Sequence, residues 1–108
     1  MRKYLLIESR DPFTAQAASG HAELAVDLRR AGNAVTLYLV QNGVLPARAG
    51  ADGGALHEAI TAGVEVLADD FSLRERGIGE RDVARGVKPA AIGLVADRLA
   101  DAWKVILL

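Results

Sequence analysis

Four short, predominantly apolar runs, Tyr4 to Ile7, Val35 to Val40, Val64 to Leu67 and Val105 to Leu108, interrupted only by Thr36 and Glu65, are separated by segments of helical pattern. This spacing narrows the fold more than any other feature. Strands that are apolar without alternation need cover on both faces. Strands alternating with helices favour parallel pairing through right-handed crossovers. The expectation is an α/β domain, a three-layer α/β/α parallel sheet of about four to five strands.

The segments between the runs carry their own signals. Asp11-Pro12 has the chemistry of a helix cap and first turn. A helix is expected from about Thr14 to Ala31, with Ala17, His21, Leu24, Ala25 and Leu28 at helical spacing. Arg29-Arg30 suits its C-terminal dipole and Gly32-Asn33 ends it. Gln41 to Gly54 is rich in Gly, Pro, Asn and Ala, and its length of about 14 residues exceeds the usual connection of about 4 to 6. Such loops are commonly functional or interfacial. Ala55 to Ala62 reads as a short helix ended by Gly63, and Ser72 to Arg76 as a helical turn or two closed by Gly77. Gly79 to Lys88 is polar, with one more short helix at Arg81 to Arg85. Pro89 opens an amphipathic helix carrying Ile92, Val95, Ala96 and Leu99.

A length of 108 residues supports one domain spanning 1–108, and a hydrophobic share of 51% supplies an aliphatic core without metal or disulfide staples. Basic and acidic residues are interleaved to a net charge of −1, which offers no footprint for nucleic acid or an anionic membrane. No run approaches the roughly 20 apolar residues of a membrane span, and Lys3 to Ile7 is too short for a signal peptide. A cytoplasmic protein is expected. The chain has no cysteine, which excludes thiolate nucleophiles, persulfide carriage and Cys-based zinc or iron–sulfur sites. Neither a phosphate-cradling Gly-Lys-Ser/Thr loop nor a dinucleotide glycine fingerprint occurs. No cofactor and no metal site are expected.

Parallel strands send their exits to one sheet edge, where sites form in open α/β folds. The candidate binding face therefore gathers Ser9 and Asp11 after the first strand, Gln41 and Asn42 after the second, and Asp69 and Asp70 after the third. Arg48 joins them from the long loop. Two adjacent carboxylates suit cation binding or acid–base work, but consecutive residues leaving a strand point in different directions, and oxygen-ligand sites recruit further carboxylates. Capping is the plainer role: Asp70 or Ser72 can accept the free N–H groups of the following helix. Arg48, Arg74 and Arg76 can gather to bind an anion, or remain solvated or bridge subunits. His21 and His57 lack a Glu or His partner at ligand spacing and read as surface or helix-packing residues. Gln41-Asn42-Gly43 reads as a turn in which Gly43 supplies positive φ. A phospho-receiver fails on order, since its acidic pair should leave the first strand, where only Glu8 and Asp11 stand.

The stretches Lys3-Tyr-Leu-Leu-Ile-Glu-Ser-Arg-Asp-Pro12 and Leu39-Val-Gln-Asn-Gly-Val44, together with Arg76-Gly77, resemble the DsrE/DsrF-like family of small sulfur-relay proteins. The resemblance covers most of the chain. It implies a flavodoxin-like parallel sheet, homo-oligomers (trimer or hexamer), a sulfur-relay protein as partner, and a persulfide-carrying cysteine after the third strand. Counted back from Arg76-Gly77, that cysteine falls at or next to Asp69. The expectation is then a cysteine-free, non-catalytic scaffold or binding subunit associated with sulfur metabolism. The alternatives are a small-molecule or anion-binding protein unconnected to sulfur, using Asp69, Arg48 and Asn42, and a carboxylate-dependent enzyme built on Asp69 and Asp70. Self-association is expected through the apolar Val44-Leu45-Pro46 and the helix after Asp70.

Overall fold

The apolar runs do form strands: β1 (Lys3–Glu8), β2 (Ala34–Leu39), β3 (Glu65–Asp69) and β5 (Lys104–Leu107), joined by a short β4 (Lys88–Ala90). The computed structural model describes residues 1–11, 17–51 and 54–108. All five strands are parallel, in the order β4-β3-β2-β1-β5. β1 is interior, and the exits of β1, β2 and β3 share the carboxyl edge. With helices on both sides of the sheet, this is the α/β class expected.

The strand order fixes where each layer lies. From β1 the chain steps outward to β2, β3 and β4, then returns past β1 to place β5. Right-handed crossovers put helices made in opposite directions on opposite faces. α1 (Ala17–Arg30) and α2 (Ala55–Thr61) accordingly pack Ala25, Val26, Leu56 and Ala59 against Leu6, Val35, Leu37 and Val66. The other face holds a smaller core of Leu5, Ile7, Tyr38 and Leu67 beneath Leu94 and Val95 of α4 (Leu94–Ala100). Arg98 pins α4 to the sheet, donating to Thr36 Oγ1 (2.8 Å) and Glu65 (3.0 Å) and stacking over Trp103 at 4.5 Å.

Three local expectations change. Pro89 lies in β4 instead of opening a helix, and α4 begins only at Leu94. A three-residue strand has too little length for a periodic signal, and an edge strand tolerates the missing N–H of proline. The first part of the long connection folds as a 3-10 helix, Gln41–Ala47, that buries Val44, Pro46 and Ala47. The apolar cluster expected to mark an interface is thus part of the core. Glu80–Asp82 forms the only regular turn near the expected Arg81 to Arg85 helix among the described residues. The expected helix start at Thr14, and Pro12 before it, lie outside the described residues.

Candidate functional site

Asp69 ends β3 and caps α3 (Asp70–Glu75), so its side chain is fixed by both elements. One carboxylate oxygen accepts from Ser72 N (3.1 Å) and Ser72 Oγ (2.6 Å). The other accepts from Tyr38 Oη at 3.1 Å, whose proton is also within reach of the Ala90 carbonyl at 3.2 Å. Burial pushes the Tyr38 phenol pKa far up, and the negative charge of Asp69 adds to the rise. The cap is therefore Asp69, not Asp70 or Ser72. Ser72 acts one step further on, its Oγ accepting from Gln41 N at 2.8 Å.

That bond holds an uncommon backbone. Gln41 has φ 51°, in the left-handed region, whereas Gly43 does not have positive φ. The glycine is required for another reason. A Cβ there would overlap the Glu8 carbonyl oxygen and come within 3.0 Å of its carbon, so only glycine lets the 3-10 helix close over the end of β1. Asn42 Oδ1 then accepts two bonds from Arg76, at 3.2 and 3.0 Å, tying the β2 exit to the end of α3.

At the β1 exit, Glu8 is buried and accepts from Arg10 N at 2.8 Å. Its second oxygen pairs with His21 Nδ1 of α1. Ser9 is half-buried and Asp11 buried beyond it. The carboxyl edge thus gathers Ser9, Asp11, Gln41, Asn42, Asp69 and Asp70, as the strand exits predicted. Arg48 lies apart, in a cleft on the α2 side, and Arg76 turns to Asn42 instead of joining Arg48. Sequence reasoning missed the Glu8–His21 pair and the Tyr38 bond to Asp69. Glu8 at an apolar strand's end was a signal for the first; nothing local pointed to the second.

Beside Asp69 a cleft of about 430 Å³ opens across the ends of β5, β1, β2 and β3, lined by Ile7, Val40, Phe71, Ile92, Val95 and Leu107. This is where the strand order reverses, the place at which open α/β sheets take ligands. Its lining is mostly apolar. Phe71, Ile92 and Leu107 are 57%, 59% and 79% exposed, large values for such side chains. Gln41, Asp69, Ser72 and Glu75 supply its polar side. Among the described residues, no cluster of three or more metal-ligating side chains occurs, and no helix is long and apolar enough to cross a membrane.

Fold and site define an α/β protein with a polar, hydrogen-bonded carboxyl edge beside an open apolar cleft. Solved structures share that architecture. The chain is similar to the ychN protein from E. coli, with TM-score 0.88 and 20% identity over 100% of both chains. It is also similar to MTH1491 from Methanobacterium thermoautotrophicum, a protein of unknown function, at TM-score 0.77 and 22% identity, covering 99% of this chain and 98% of that one. BT1422 from Bacteroides thetaiotaomicron, a conserved protein of unknown function, matches at TM-score 0.76 and 14% identity, covering 98% and 94% respectively. No family model and no curated protein matches the chain. At these identities the likeness concerns the fold.

Proposed function

We propose that this chain is a cysteine-free DsrE-like protein of the cytoplasm, an oligomeric scaffold or binding subunit associated with sulfur metabolism that does not itself carry sulfur. The reading rests on Asp69. At or next to the position where the resemblance implies a persulfide-bearing cysteine, the carboxylate turns inward and spends its oxygens on Ser72 and Tyr38. It holds the junction of β3 and α3 in shape, and carboxylate oxygen has no sulfane-sulfur chemistry comparable to a thiolate's. The apolar cleft beside it supports self-association as the role that remains, because exposed aliphatic and aromatic clusters on small domains mark interfaces.

Two measurements test this. Intact-mass spectrometry after incubation with glutathione persulfide should find the wild type unmodified and Asp69→Cys carrying added sulfur. A folded Asp69→Cys protein that stays unmodified removes the link to the sulfur-relay position. Sedimentation velocity should show an assembly that Ile92→Asp and Leu107→Asp dissociate. An 11.4 kDa monomer at micromolar concentration overturns the oligomeric part of the reading.

A further inference from the structure

Apart from the cleft beside Asp69, a second cleft of about 250 Å³ opens between α2 and the chain around Ala84. Two segments far apart in sequence build it. Ala49 N donates to Asp82 O at 2.7 Å and Ala84 N to Ala47 O at 2.6 Å, clamping the Arg48 strand edge antiparallel to Val83. The clamp brings Arg48 and Arg85 to one opening, with His57 of α2 on its wall. Arg48 is steadied by its own Nε, which donates to Leu45 O at 3.0 Å.

The whole chain has a net charge of −1, yet every charged side chain among the described residues lining this cleft is basic. Beneath the basic rim lie Leu56, which is buried, and the half-buried Ile60 and Ala84. Two guanidinium groups favour an oxyanion, which they engage through paired N–H donors. An apolar floor favours a ligand with a hydrophobic body, and a volume near the lower end of ligand pockets favours a small one.

We propose that this cleft binds a small organic anion, its oxyanion between Arg48 and Arg85 and its apolar body on Leu56 and Ile60. The cleft shares no lining residue with the one beside Asp69, so the proposal stands whether or not the scaffold reading does.

The test is a titration of ¹⁵N-labelled wild-type protein with phenyl phosphate, followed by amide shifts, with inorganic phosphate and phenol as separate probes. Saturable shifts should cluster at Gly50, Gly54, Ile60, Ala84 and Arg85. Phenyl phosphate should bind about tenfold more tightly than either fragment, since it alone uses both rim and floor. Arg85→Glu and Arg48→Ala should each weaken it about tenfold, and Arg85→Lys less. Arg85 is exposed, so an unchanged amide spectrum elsewhere will show that these variants remain folded. Inorganic phosphate binding as tightly as phenyl phosphate would mean an adventitious ion only. Phenol binding as tightly, shifts confined to Phe71 and Ile92, absence of saturation, or unchanged affinity in Arg85→Glu would each overturn the proposal.

Discussion

Removing the Asp69 carboxylate should unfasten the junction between β3 and α3, and the structure allows the loss to be apportioned. Asp69→Ala deletes the cap on Ser72 N, worth about 1 kcal/mol. It also deletes two side-chain bonds to a carboxylate, from Ser72 Oγ and Tyr38 Oη. Tyr38 keeps the Ala90 carbonyl and is not stranded, so each of these is taken at about 1 kcal/mol. The expected total is about 3 kcal/mol, a large share of the roughly 5 to 15 kcal/mol that stabilises a small domain. Tyr38→Phe alone should cost about 1 kcal/mol. The double variant should cost about 1 kcal/mol less than the sum, because the Tyr38–Asp69 bond is lost only once. Urea unfolding followed by the fluorescence of Trp103, the single tryptophan, measures all three variants, with unchanged slope as the sign of an intact two-state transition. A coupling below about 0.3 kcal/mol, or an Asp69→Ala cost under about 1 kcal/mol, would refute the hub.

Gly43→Ala should destabilise by about 3 kcal/mol, since the new methyl meets backbone that has no side-chain freedom to yield; a cost under about 1 kcal/mol in the same unfolding assay would contradict the close approach to Glu8. Glu65 gives a pH test. Burial alone would raise its pKa, but hydrogen bonds from Thr36 and Arg98 and the charges of Arg98 and Lys88 outweigh it and hold the carboxyl below its usual range. A folded-state pKa below the unfolded value of about 4.3 contributes stability that is present above that value and fades as pH falls through the folded one. The side chain is half exposed, so the effect should stay under about 1 kcal/mol. Wild type should therefore lose stability between about pH 5 and 3 more steeply than Glu65→Gln, and equal slopes in urea titrations would count against the network.

The sequence determined the layers. Apolar runs without alternation at β1, β2, β3 and β5 can be buried only within a parallel, doubly covered sheet, and that requirement alone put the exits at Ser9, Gln41 and Asp69 on one edge. It also showed that no thiol is present to carry sulfur. Tertiary structure decided what the edge does. Asp69 was legible as a residue at a strand end, but its inward turn depends on Tyr38, which stands 31 positions earlier and meets it only because β2 and β3 pair in one register. Glu8 and His21, 13 positions apart, meet only because the crossover folds α1 back over β1. Gly43 reads locally as a turn glycine, while its actual constraint is the Glu8 backbone pressed against it. β4 is too short for any periodic signal, and bringing Arg48 and Arg85 to one cleft needs the clamp between Ala47 and Ala84. Periodicity records which face of an element is buried; which side chains then meet is set by strand register and crossover path, and those exist only in the folded chain.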